Sequence, residues 1–188
     1  QGGHMDTIYI HSDGACSGNQ HRENIGGWGT ILEYKNYRKE IFGGEKNTTN
    51  NRMEMTALLN GLKAIKKNEQ NIWVFSDSSY LINCFRNKWY ENWYRNDWKT
   101  ANKTPVENRD LWEKLLILIQ EHNISFYRVK GHVNLQSIHT NTDALYKKFK
   151  EWNGTCFTMD DFIQITKNNN RADALANLGM EEVRNKDL

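Results

Sequence analysis

Six residues could do chemistry together: Asp13, Glu54, Asp77, His132, Asp143 and Asp173. Asp13 closes the β-rich run "TIYIHSD", and Asp77 closes the short apolar run "NIWVFSD". If these strands are parallel neighbours, their carboxyl ends face one crevice, where open α/β sheets place ligands. Glu54 lies in the first turn of "NNRMEMTALLNGLKAIKK", where Met55, Leu58, Leu59, Leu62 and Ile65 recur at helical spacing. A helix packed on the sheet can aim that turn at the same crevice. Three carboxylates repel one another and lose hydration, and hard cations such as Mg²⁺, which prefer oxygen ligands, relieve both costs. Two such ions about 3.5–4 Å apart can activate water and stabilise the leaving oxygen in phosphodiester cleavage. Each residue also has a plainer reading: Asp13 in "DG" as a turn residue, Glu54 as the N3 partner of an Asn51 cap, Asp77 in "SDSS" as a helix cap. The catalytic reading rests on their convergence.

His132 sits in "VKGHVNLQSIHTNTDALYKK", which reaches Asp143 eleven residues later; "NNNRADALANLG" offers Asp173 thirty residues beyond that. Spacing alone leaves open which aspartate joins the histidine. The other histidines (His11, His21, His122, His139) form no metal-ligand spacing with Cys16, Cys84 and Cys156.

The elements that must position these groups follow from periodicity. "GGWGTILEY" and "YRKEIFGG" flank "KN" as an antiparallel hairpin. "SSYLINCF", "RDLWEKLLILIQEH" and "ADALANLGMEEV" read as helices, and "ISFYRVKG" as a strand. The order is three strands, helix, strand, helices, strand, helix. It predicts an α/β fold whose mixed sheet has an antiparallel meander on one side and crossovers making the later strands parallel to the first.

The chain of 188 residues carries 25 basic and 23 acidic side chains, so its overall charge does not announce a nucleic-acid field. "QGGHM" reads as an expression-tag remnant, leaving 6–188 as one domain. No apolar run approaches the roughly 20 residues of a membrane span. Three widely spaced cysteines with no CxxC fit a reduced compartment. An intracellular location is expected: the cytoplasm, or a nucleus or mitochondrion in a eukaryote.

The motifs "YIHSDGACSGN", "GGWGTILEY", "TTNNRMEMTALLNGL", "VFSDSSYLINC", "NWYRNDWKTANKTPVENRDLWEKL", "YRVKGH" and "NRADALANLG" occur in this order and together resemble type 1 ribonuclease H. The resemblance spans nearly the whole chain apart from one internal segment. It implies a ribonuclease H-like fold with a central five-stranded mixed sheet. It also implies Mg²⁺-dependent endonucleolytic cleavage of RNA paired to DNA, with 5′-phosphate and 3′-hydroxyl products. Asp13, Glu54 and Asp77 match three metal-binding carboxylates. Asp173, in the "NxRAD" pattern, matches the fourth, which leaves Asp143 as a helix-start aspartate. Two Mg²⁺ ions are expected, with Mn²⁺ able to substitute. His132 matches a loop histidine that assists proton transfer or product release. Asn19, Asn50 and Asn51 match contacts to the RNA strand, whose 2′-hydroxyl distinguishes it. Thr49 and Asn108 match positions holding a DNA phosphate. The segment at about 86–108 resembles a basic protrusion gripping the DNA strand. There Arg86, Lys88, Arg95, Lys99 and Lys103 interleave with Trp89, Trp93 and Trp98, and Trp89, Trp93 and Lys99 are the expected DNA contacts. The plainer readings are that the asparagines cap helices and the tryptophans pack on the body. The expected partner is an RNA/DNA hybrid, with no membrane or obligate protein partner, and a monomeric state.

Four departures stand out. The loop "GNQHRENIGG" replaces a shorter Gly/Pro-rich turn, Ser79 stands where many relatives carry an RNA-contacting Gln, and no hybrid-binding domain is expected ahead of the catalytic one. The largest is the insertion at about 133–169. "TDALYKKFKEWNG" spaces Leu145, Phe149 and Trp152 as a helix, and "TMDDFIQI" pairs Thr158 with Asp161 as a cap. It reads as an inserted helical subdomain, either a packed elaboration or, through Lys147, Lys148 and Lys150, a further contact to the hybrid. The rival functions are another enzyme on the same fold, such as a transposase or integrase, and a catalytically silent hybrid-binding module.

Overall fold

The alternation seen in the sequence builds a hairpin of β2 (Ile25–Tyr34) and β3 (Tyr37–Lys46), closed at Lys35 with φ 55°. The computed structural model describes residues 6–18 and 23–186. The sequence reading of residues 1–5, and the Asn19 contact, lie outside the described residues. β1 (Thr7–Ser17) pairs antiparallel with β2 and parallel with β4 (Asn71–Ser76), and β4 pairs parallel with β5 (Asn123–Arg128). The sheet order is β3-β2-β1-β4-β5, the mixed topology expected. One detail differs. Asp13-Gly14 is not a turn, because β1 runs on to Ser17, with Gly14 opposite Trp28. Only the pairing to β4 stops at Ser12, opposite Ser76.

Period-two alternation sends neighbouring residues of β1 and β4 to opposite faces. Ile8, Ile10, Ile72 and Val74 meet α1 (Asn50–Lys63), α2 (Ser79–Arg86) and α4 (Arg109–Gln120) in one core with Leu58, Leu62, Leu81, Trp112 and Leu115. Between α2 and α4, α3 (Trp89–Arg95) and its following loop form the protrusion. On the other face, Tyr9, Trp73, Phe75 and Tyr127 form an aromatic layer.

The insertion covers that aromatic layer, but not as a separate subdomain. α5 (Thr142–Asn153) is a discrete helix ending at Gly154. The second predicted piece is instead the start of α6 (Met159–Asn185), one helix of 27 residues that includes "NNNRADALANLG". The Thr158–Asp161 capping box is present: Asp161 N–H donates to Thr158 Oγ1 at 3.1 Å, and Thr158 N–H to Asp161 Oδ2 at 2.8 Å. Phe149, Phe157, Phe162 and Ile165 close over Phe75 and Tyr127, so the insertion supplies core to the second face of the sheet.

β5 is an edge strand, and edges left open template unwanted pairing. Here Asn153 at the end of α5 occupies it. Its amide accepts from Arg128 N–H and donates to Arg128 C=O, both at 2.8 Å, as a neighbouring strand would. Arg86 adds four bonds to the same corner, donating twice to Phe126 O and once each to Trp152 O and Asn153 Oδ1. Arg86 is therefore a strap between α2, β5 and α5, not a free cation of the protrusion.

Candidate active site

Asp13 and Asp77 each follow the last paired position of the β1–β4 ladder, so the parallel register sets them side by side. Glu54 reaches them from α1, in its second turn. The cap of that helix is Thr49, whose Oγ1 accepts from Arg52 N–H at 3.1 Å, so Glu54 is not the N3 partner of an Asn51 cap. Asp77 is not a cap either: Ser78 caps α2, accepting from Leu81 N–H at 3.1 Å. A Cβ on Gly14 would collide with the Glu54 backbone nitrogen, so glycine at that position allows the close approach of α1 to β1. Gly14 N–H then donates to Glu54 Oε1 at 3.0 Å, and Ser76 Oγ to Glu54 Oε2 at 3.4 Å.

Asp13, Glu54 and Asp77 bring one carboxylate oxygen each within 4.8 Å of one another. Asp13 is 3% exposed and Glu54 7%. Burial first, then the charges of Glu54 and Asp77, pushes the Asp13 carboxyl far above the usual carboxylate range. Burial and the Asp77 charge push Glu54 up to about 8, against opposing hydrogen bonds from Asp13, Gly14 and Ser76. The cleft, about 410 Å³, is lined by these three with Gly14, Ala15, Asn50, Gly131, His132 and Asp173. Among the described residues its only basic lining group is His132. An all-oxygen, uncompensated donor set of this kind fits a hard divalent cation.

Asp173 faces Asp13 from α6, with its Oδ2 3.9 Å from His132 Nδ1. Asp143 is exposed in the first turn of α5 and lines no part of the cleft. His132 sits at φ 57° with its side chain 78% exposed.

Two residues absent from the sequence reading hold Asp77. Asn169, 2% exposed, donates from Nδ2 to Asp77 Oδ2 at 3.3 Å. Gly131 packs against the same oxygen so closely that a Cβ would collide with it. Asp77 Oδ2 is thus fixed from two sides. Asn170 ties the adjacent loop down, donating to Val133 O at 2.8 Å. The only sequence signal was the run of three asparagines, which resembles a loop.

The expected substrate contacts divide. Asn50 and Asn51 are exposed at the start of α1, and Asn50 lines the cleft. Thr49 and Asn108 are joined through Arg52, whose Nη1 donates to Asn108 Oδ1 at 3.2 Å and whose guanidinium pairs with Asp110. Lys99 is exposed on the protrusion. Trp93 is corrected: it is 9% exposed and packs against Trp98 and Trp112, so its ring belongs to the core wall and offers no open stacking face. Trp89 is half-buried, against Tyr80.

Comparison with known proteins accords with this geometry. A family model described as RNase H matches residues 5–149, a span that contains Asp143 and stops short of Asp173. Ribonuclease H of Thermoanaerobacter sp. (strain X514) is 48% identical over 130 residues, covering 69% of this chain and 81% of that protein. Ribonuclease HI of Neisseria meningitidis serogroup B is 48% identical over 126 residues, covering 67% and 83%. Among solved structures, LC9-RNase H1, a type 1 RNase H with the type 2 active-site motif, superposes with a TM-score of 0.61 at 20% identity, covering 88% of this chain and 85% of that one. LC11-RNase H1 in complex with an RNA/DNA hybrid does so with a TM-score of 0.55 at 16% identity, covering 94% and 98%. The chain belongs to the type 1 ribonuclease H family.

Proposed function

We propose that this chain is an endonuclease that hydrolyses the RNA strand of RNA/DNA hybrids, leaving 5′-phosphate and 3′-hydroxyl ends. The observation that carries the reading is the convergence of Asp13, Glu54 and Asp77 from three separate elements, with Asp173 opposite, in a cleft where no lysine or arginine among the described residues neutralises them. Those four carboxylates would hold two Mg²⁺ ions, with Mn²⁺ able to substitute. When bound, the ions supply an activated water and charge stabilisation for the departing 3′ oxygen. Gly14 N–H and Ser76 Oγ orient Glu54, while Asn169 and Gly131 orient Asp77. His132, exposed at the cleft mouth beside Asp173, carries a proton to or from the reacting phosphate and assists product departure.

Asn50 and Asn51, with Asn19, read the 2′-hydroxyls of the RNA strand from the minor groove. Thr49 and Asn108, held together by Arg52, take a phosphate of the DNA strand, and Lys99 and the free edge of Trp89 extend that grip. Such contacts are insensitive to base sequence and weaken with salt. We read the protein as a monomer acting inside the cell. Among the described residues no helix is long and apolar enough to cross a membrane.

The test is cleavage of an RNA/DNA hybrid against RNA and DNA duplexes of the same sequence, with and without Mg²⁺. Cutting of the hybrid's RNA strand alone, only with metal and with 5′-phosphate products, is expected. Equal cutting of the DNA duplex would favour another nuclease on this fold, and hybrid binding without cutting a silent module.

A further inference from the structure

The insertion adds a basic surface beside the cleft, and its lysines do not act as one group. The loop 130–133 has two sides. Gly131 and His132 line the catalytic cleft, while Lys130 and Val133 line a narrow crevice against α5, shared with Leu145, Lys148 and Trp152. On this second side the Arg128 guanidinium stacks on the Trp152 ring, 4.1 Å from its centroid, and Lys148 Nζ lies 5.8 Å from the same ring. Lys130 and Lys148 are exposed. Lys150 instead lies over the Tyr146 ring at 4.3 Å and does not line the crevice. Phe149 points inward between these two sides of the helix.

Two cations, Arg128 and Lys148, therefore lie over one aromatic ring, and a third, Lys130, lines the same crevice on the loop that also borders the metal-type carboxylates. The acidic group paired within this cluster is Glu151, 3.5 Å from Lys148 with both side chains more than half exposed. An exposed pair of this kind is worth about 0–1 kcal/mol and yields readily to a phosphate. The body of the enzyme holds the cluster rigidly: Asn153 and Arg86 fix the end of α5 to β5, and Phe149 anchors its middle.

We infer that Arg128, Lys130 and Lys148, together with Trp152, form an accessory phosphate-binding surface through which the insertion extends the enzyme's grip on the hybrid beyond the catalytic cleft. The inference rests on the hybrid-cleaving function proposed above. A duplex backbone leaving the cleft past His132 meets Lys130 first and Lys148 next. Cations on an aromatic platform favour a polyphosphate backbone over any particular base, so the surface adds affinity without sequence preference.

The test uses the full chain carrying Asp77→Asn, so that binding is measured without cleavage. Fluorescence anisotropy with a labelled RNA/DNA hybrid is recorded over a salt series. Lys130→Glu with Lys148→Glu should weaken binding about tenfold at low salt and reduce the slope of log affinity against log salt by about two. Lys148→Arg, which keeps the charge, should bind as the parent does, and Lys150→Glu, on the other side of α5, should change little. Thermal melting of each variant separates lost contact from lost folding, and if the double variant melts early, Lys148→Gln alone should still halve the loss of slope. Unchanged affinity and slope, or an equal loss from Lys150→Glu, would overturn the inference. Failure of the parent itself to bind the hybrid would overturn the functional reading and this inference with it.

Discussion

Helices α5 and α6 contain almost the same short text, "TDAL" at residues 142–145 and "ADAL" at 172–175, and the fold uses them in opposite ways. In α5 the aspartate stands in the first turn, behind an Asn141 cap that accepts from Ala144 N–H at 3.1 Å, and it is exposed. In α6 it stands mid-helix, facing Asp13 and His132 across the cleft. The difference lies upstream. Within α6, Asp173 is preceded by Asn168, Asn169 and Asn170, which tie the helix to the Glu33–His11 pair, to Asp77 and to the 131–133 loop. α5 has no such run and is attached by its aromatic face and its C-terminal end instead. A local motif acquires chemistry only when its helix is registered against the strand ends.

The comparison yields graded expectations. The largest effect is on the partner that α6 holds: Asp77→Asn should reduce RNA cleavage by about 10³-fold or more while largely sparing hybrid binding. Robust residual turnover would break the site assignment. On the other side of the comparison, Phe149→Ala in α5 should cost about 3–5 kcal/mol of stability, read by chemical denaturation, because the side chain is 1% exposed and packs against Phe157 and Phe162. The folded fraction should keep its turnover number, which a catalytic role for α5 would not allow.

The pH dependence is a smaller effect and isolates the cleft. Asp13 and Glu54 have folded-state affinities for protons raised above those of an unfolded chain, by burial and by mutual charge. Their contribution to stability is therefore fully present below the ordinary carboxylate range. It is lost as pH rises from about 4.5 through the raised Glu54 value of about 8. In EDTA the melting temperature should fall over this window, and Mg²⁺ should restore it increasingly toward the alkaline end. An Mg²⁺ increment that is independent of pH would contradict the ionised-carboxylate donor set.

Much of this arrangement was legible in the sequence. The hairpin, the strand order and the convergence of Asp13, Glu54 and Asp77 follow from alternation, helical spacing and the rule that parallel strand ends share a crevice. What was not legible came from tertiary context overriding local signals. "DG" reads as a turn, yet pairing with β2 carries β1 four residues beyond Asp13. Three consecutive asparagines are weak helix formers. Yet Asn168 and Asn169 are each 2% exposed, and hydrogen bonds to distant strands satisfy their amides, so the helix runs straight through. The insertion was expected as a helical subdomain; the continuity of α6 through these asparagines joins it to the closing helix and brings Asn169 to Asp77. Trp93 misled for the converse reason: an aromatic among basic residues suggests a nucleic-acid platform, but its ring is spent on Trp98 and Trp112.

The central claim is that the fourth carboxylate belongs to α6 and not to the helix that mimics it. Purified Asp173→Asn and Asp143→Asn proteins, compared for Mg²⁺-dependent cleavage of one RNA/DNA hybrid, test it most directly. Asp173→Asn should lose about 10²-fold or more, and Asp143→Asn should stay within about twofold of the parent rate. A crippled Asp143→Asn beside an active Asp173→Asn would contradict it.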